Sequence, residues 1–95
     1  MIHYNLLKLK SGAPVDEVYA RCRQTYAQLE AALDFLHDAR VVPCATVRDS
    51  NADLMMVMRI DAPERLGDYL RHPLHAALAQ ETKQWVEARL SFDEE

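Results

Sequence analysis

Apolar residues at Val15, Val18, Cys22, Tyr26, Leu29, Leu33 and Leu36 follow one another at intervals of three or four. That spacing returns a side chain to the same face of an α-helix at each turn, so it predicts one long amphipathic helix over Val15 to Leu36. Arg21, Arg23, Gln24, Gln28 and Glu30 fall on its other side and read as a solvated face. Pro14 suits a first helical turn, where its missing N–H would have had no partner, and Asp16 and Glu17 favour the positive end of the helix dipole. Such a helix cannot stand alone. Its apolar stripe requires a second layer, and the flanking segments supply strands.

Ile2 to Lys10 alternates, placing His3, Asn5, Leu7 and Leu9 on one face and Tyr4, Leu6, Lys8 and Lys10 on the other. Val41 to Arg48 is β-branched but carries Pro43, which predicts an edge strand or a bulge. A turn at Asp49, Ser50 and Asn51 leads into Leu54 to Ile60, the most apolar run and the expected central strand. Leu54, Met56, Met58 and Ile60 share one of its faces, and Met55 and Val57 the other. Ala62 and Pro63 open a short helix to about Leu70. His72 and Pro73 break it, and a second helical stretch runs to about Val86. Arg89 to Asp93 closes the chain as a last strand.

The order strand, helix, strand, strand, split helix, strand predicts a ferredoxin-like α+β fold, with a four-stranded antiparallel sheet and both helical regions on one face. At 95 residues with 49% hydrophobic side chains, the chain has room for one core, so residues 1–95 are expected to form a single domain. Leu29, Leu33, Leu54, Met56 and Leu78 are the expected filling between sheet and helices. The second sheet face, with Tyr4, Leu6, Met55 and Val57, has no layer of its own to cover it. An apolar patch of that kind marks an interaction surface. A second copy related by a two-fold axis is the simplest cover, giving a homodimer through the open face of the sheet.

A net charge of −4 with scattered Lys and Arg provides no basic stripe for a phosphate backbone, so no nucleic-acid partner is expected. No apolar run is long enough for a bilayer, and MIHYNLLKLK lacks a signal-peptide pattern; no membrane partner and a cytoplasmic location are expected. Cys22 and Cys44 match no paired motif and read as free thiols. His72 and His75 have an H-x-x-H spacing, but without neighbouring Cys or carboxylate ligands it is a weak metal signal, and no metal is expected. No GxGxxG, P-loop or Gly-x-Ser-x-Gly is present, so no cofactor is expected either.

The most specific string is YLRHPLH, Tyr69 to His75. His75 falls in the first turn of the helix opened by Pro73, where the dipole disfavours the imidazolium and leaves a ring able to accept a proton, as a general base must. The plainer alternative makes His72 a helix cap and His75 a surface residue. His3 and Asn5 precede Leu7 and Leu9 on one strand face, so one end of the sheet–helix layer is polar; a frayed terminus would also explain His3. Tyr26 lies on the helix's apolar stripe, as core filler or with its hydroxyl turned into a pocket.

HYNLLKLK, YLRHPLH and VEARLSFD, in this order and spacing, resemble the first strand, the Tyr/His-Pro/His signature and the closing strand of the stress-responsive α/β-barrel (Dabb) family. The resemblance covers nearly the whole chain. It implies a ferredoxin-like homodimer whose sheets pack face to face as a dimeric α/β barrel. One branch of that family, the plant polyketide cyclases, closes a linear chain by intramolecular aldol condensation, using two histidines and two tyrosines. His3, Tyr26, Tyr69 and His75 occupy the corresponding positions, whereas Asn5 departs from the usual apolar residue.

Three functional readings follow. In the first, a cofactor-independent cyclase or aldolase-like enzyme acts on a small carbonyl or polyketide-like compound, with His75, Tyr69 and His3 catalytic and Tyr26, Asn5 and His72 binding substrate. The second is a non-catalytic, stress-associated protein that binds a small apolar molecule. The third is a cofactor-free monooxygenase of the dimeric α/β-barrel type.

Overall fold

The computed structural model describes all of residues 1–95. Strand β1 (Ile2–Leu9) leads to helix α1 (Val15–Ala32), and β2 (Leu36–Pro43) and β3 (Leu54–Ile60) form a hairpin. A single 3-10 turn (Pro63–Arg65) enters α2 (Leu66–Leu70), α3 (Pro73–Thr82) follows, and β4 (Val86–Glu94) ends the chain. The sheet is antiparallel in the order β2-β3-β1-β4. This is the ferredoxin-like α+β arrangement that the order of elements predicts. No helix is long and apolar enough to cross a membrane.

One sheet face and the helices enclose the core. His3, Asn5, Leu7 and Leu9 of β1 and Leu54, Met56, Met58 and Ile60 of β3 are all buried, as are Val18, Cys22, Tyr26 and Leu29 of α1, Tyr69 and Leu78. The two-residue alternation of β1 and β3 and the stripe of α1 therefore face each other as their spacings require. Leu29 is fully enclosed. Replacing it with Ala is expected to cost about 2–5 kcal/mol, through lost transfer energy and the cavity left behind, read as a lower midpoint in urea unfolding.

Several boundaries differ from the sequence reading. Helix α1 stops at Ala32 rather than Leu36, because Leu33 is already extended (φ −113°, ψ 113°) while its N–H still bonds the Leu29 carbonyl. Leu33 is only partly buried at that end, and Leu36 is buried as the first residue of β2. Strand β2 thus covers 36–43 rather than 41–48. Its register with β3 shifts between His37 and Arg40, where Asp38 takes φ 55°. A bulge of this kind puts an extra residue against the partner strand, and Asp tolerates the left-handed region better than most residues. Pro43 ends the strand, and Cys44 to Arg48, expected within it, belong to the hairpin loop. Similarly, α3 ends at Thr82 and β4 starts at Val86, with a register shift opposite Lys8 and Leu9.

The other sheet face carries two cross-strand rows. One runs Val42, Met55, Leu6, Leu90 and the other Arg40, Val57, Tyr4, Phe92. Leu90 and Phe92 are about two-thirds exposed, at 68% and 66%. No helix covers this face. Edge strand β4 also extends past the helices on the opposite face, where Arg89, Ser91 and Asp93 lie across from Leu7, Asn5 and His3.

Candidate functional site

The inward face of β1 supplies His3 and Asn5, α1 supplies Tyr26, the end of α2 supplies Tyr69, and the first turn of α3 supplies His75. Pro73 starts α3, and the imidazole Nδ1 of His72 accepts the Leu74 N–H at 3.1 Å, capping that helix. This fixes the turn that aims His75 back towards Tyr69. His72 itself enters neither the ring cluster nor the cleft beside it. Its capping bond corresponds to the plainer of the two sequence readings.

Tyr69 is the hub. Fully buried, it meets His3 edge-on at 5.7 Å between centroids, His75 edge-on at 4.8 Å and Tyr26 at 6.2 Å. The Tyr26 and Tyr69 hydroxyls hydrogen-bond each other at 2.6 Å. One proton serves that bond and leaves the other phenolic proton for a further acceptor. Burial pushes the Tyr26 phenol up to about 12 and raises Tyr69 further, Tyr26 itself adding to the second shift. Both remain neutral donors at ordinary pH. Neighbouring Cys22, raised to about 11 chiefly by burial, stays a thiol and is no nucleophile.

The two histidines are anchored differently. His3 is buried on β1, and its Nδ1 bonds the carboxylate of Asp93. A carboxylate only accepts, so Nδ1 carries the proton and the ring orientation is set by the last strand. The sequence reading missed Asp93. Its only signal is strand parity, since Asp93 pairs directly with His3 across β1 and β4.

His75 donates Nδ1–H to the Leu70 carbonyl at 3.0 Å, which leaves Nε2 of the neutral ring as an acceptor. Its pKa is lowered, first by burial and then by the charges of Arg89 and His3, against the opposing effect of the Leu70 bond. The unfolded chain therefore binds this proton more readily below pH 6.5. Stability linked to His75 is full above about pH 6.5 and is lost as pH falls through the lower folded value. Urea midpoints measured from pH 7 to 5 are expected to fall less for His75→Gln than for the unsubstituted chain.

Two spaces meet at His75. Inside is a void of about 10 Å³ bounded by Asn5, Tyr26, His75 and Arg89 among others, the size of one water. Asn5 Oδ1, buried and without a hydrogen-bond partner, belongs to that boundary residue set. Outside, a cleft of about 550 Å³ lies between α3 and β4, bordered by Leu70, His75, Ala79, Lys83, Val86 and Arg89. His75 and Arg89 border both spaces. Tyr69, His3 and Tyr26 stand behind the wall that His75 forms. Of the residues the sequence singled out, five thus come together, and His72 stands apart.

An antiparallel four-stranded sheet with helices on one face and a ring-lined site between the layers defines a ferredoxin-like α+β protein. More specifically, the chain belongs to the stress responsive A/B barrel domain family, Dabb, whose sequence profile matches residues 1–95. Among solved structures it is similar to a dimeric protein of unknown function and ferredoxin-like fold from Bacteroides fragilis, 22% identical with a TM-score of 0.84 over 99% of this chain and 93% of that one. It is also similar to a Dabb family protein from Mesorhizobium loti, 15% identical with a TM-score of 0.71 over 99% and 93% of the two chains. A Nitrosomonas europaea protein named as a candidate antibiotic biosynthesis monooxygenase shares 9% identity and a TM-score of 0.79 over 96% and 84%. These likenesses are of fold. No curated protein matches the sequence.

Proposed function

We propose that the chain is a small homodimeric enzyme that works without a cofactor, removing a proton beside the carbonyl group of a small organic substrate, as an aldol-type ring closure of a polyketide-like compound requires. The observation that carries this reading is His75: its Nδ1–H is held by the Leu70 carbonyl, its pKa is lowered, and it forms the wall of an open cleft. A neutral imidazole so held has the lone pair a general base needs. Tyr69, edge-on to His75, holds that ring from behind and so positions the base. His3, fixed by Asp93, backs Tyr69 from the other side. Tyr26 bonds the Tyr69 hydroxyl and, like Asn5, borders the small void behind His75 rather than the cleft, so both act on the substrate only through the ring cluster.

Dimerisation is supported by the apolar row Val42, Met55, Leu6, Leu90 and by Val57, Tyr4 and Phe92 beside it on the uncovered sheet face, and the Bacteroides fragilis relative is itself dimeric. Such a dimer leaves the α3–β4 cleft of each copy open on the outside.

A second reading, a non-catalytic binding protein, is favoured by the mutual satisfaction of the cluster: Tyr26 bonds Tyr69 and His3 bonds Asp93. Deuterium uptake separates the two. The ketone methyl levulinate in D2O, followed by proton NMR, is expected to exchange the hydrogens beside its ketone at least about 10²-fold faster with protein than in buffer. Saturable binding without exchange would replace the enzyme by the binding protein. Oxygen consumption with a phenolic substrate, without exchange, would favour monooxygenase chemistry.

A further inference from the structure

The cleft beside His75 has a charge character that the ring cluster does not explain. Lys83 and Arg89 are the charged side chains on its border, and no carboxylate lies there. The whole chain carries 15 acidic against 11 basic residues, so this local balance runs against the composition. Neither cation is spent elsewhere, since neither forms an ion pair or a side-chain hydrogen bond. Of the acidic groups on α3 and β4, Glu81 pairs with Arg21, Asp93 with His3 and Glu94 accepts from the Tyr4 hydroxyl, while Glu87 does not border the cleft. Arg89 sits opposite inward-facing Leu7 on β4 and borders both the outer cleft and the inner void.

We infer that the cleft selects a small carboxylic acid that also carries a carbonyl group, with Arg89 taking the carboxylate, Lys83 at the rim and the carbonyl turned towards His75. The inference rests on the proposed role of His75 and adds the residue that sets substrate class. An unpaired guanidinium offers two parallel N–H donors that match a carboxylate, and the surrounding Leu70, Ala76, Ala79 and Val86 suit a short apolar linker. A phosphate ester fits less well. Phosphate cradles draw on free backbone N–H groups at a helix start or a glycine-rich loop. Here α3 begins with Pro73, which has no N–H, and the Leu74 N–H is taken by His72. The two glycines, Gly12 and Gly67, lie outside the cleft.

Levulinate, a 4-oxo acid, and its uncharged methyl ester make a matched pair of probes, titrated into the full-length protein and followed by ¹H–¹⁵N NMR, which also reports folding. Levulinate is expected to bind at least about tenfold more tightly than the ester, as one charge-assisted contact provides. In Arg89→Gln this preference is expected to fall close to unity, and in Arg89→Lys to survive in part. Inorganic phosphate at equal concentration is expected not to displace levulinate. Equal binding of the two probes, an unchanged preference in folded Arg89→Gln, no binding of either, or displacement by phosphate would each overturn the inference. Deuterium exchange read on the same samples keeps the two ideas apart. An Arg89-dependent preference without exchange supports the carboxylate site while removing the proton-transfer reading, and exchange without preference does the reverse.

Discussion

Replacing Leu90 with Asp is expected to convert the proposed dimer to a 10.9 kDa monomer at about 10 µM, as read by sedimentation, while its NMR spectrum stays that of a folded protein. Leu90 is 68% exposed in the single chain, so the substitution removes little from the monomer's own core. It lies in the row Val42, Met55, Leu6, Leu90, which a face-to-face dimer would bury. Burying such a leucine is worth roughly 1.5–3 kcal/mol, and an unpaired carboxylate in its place adds a desolvation penalty of the same order or larger. A two-fold axis repeats each substitution, so the loss counts twice. The sum exceeds about 5 kcal/mol, or more than about 10³-fold in dissociation constant. Phe92→Asp, in the neighbouring row beside Tyr4, is expected to act alike. A Leu90→Asp chain that still sediments as a dimer would move the interface to another surface.

How much of this was legible in the sequence depends on whether the information is local. Alternation in β1 and β3 located both strands and both of their faces, because a side chain's face within a strand is set by its neighbours two residues away. Pro73 located the start of α3 for an equally local reason. The end of α1 was misread because Leu33 and Leu36 continue its spacing: an apolar residue buried from a turn or a strand looks the same in a one-dimensional pattern as one buried from a helix. Strand β2 was hidden because the polar residues His37, Asp38 and Arg40 flank the small Ala39 and a bulge at Asp38 breaks the alternation.

The candidate site divides in the same way. His3, Asn5, Tyr69 and His75 were found from strand parity and a short motif, and Tyr26 from its helical stripe. Asp93 and Arg89 were not, since each acts through pairing with β1 across most of the chain length, and only the register of β4 turns them towards His3 and the cleft. The helix dipole was the local argument for a neutral His75. In the folded chain, burial is the first cause of its lowered pKa, and burial is a property of the assembled layers rather than of the motif.

The largest catalytic effect should come from that same side chain. On the proposed mechanism His75→Ala lowers protein-dependent deuterium exchange into methyl levulinate by about 10²–10⁴-fold, the usual contribution of a positioned general base. Loss of fold is a weak rival explanation, because His75 is only partly buried and its main-chain partner, the Leu70 carbonyl, lies at the surface end of α2. His75→Gln sharpens the test. Its amide can still donate to Leu70 and fill most of the ring's space, yet it cannot accept a proton near neutral pH. It should therefore be as inactive as His75→Ala while unfolding closer to the unsubstituted chain. Tyr69→Phe keeps the ring that abuts His75 and His3 but removes one hydroxyl from a bonded pair. Its exchange rate should fall less, by about 10–10²-fold, with about 1 kcal/mol of stability lost at the orphaned Tyr26 hydroxyl. On the same mechanism the unsubstituted protein should gain exchange activity with rising pH through a value below 6.5 and then level off, because only the neutral ring is a base. A His75→Gln protein that exchanges its substrate at the unsubstituted rate would move the base to His3, whose Asp93 partner makes it the other anchored imidazole in the cluster.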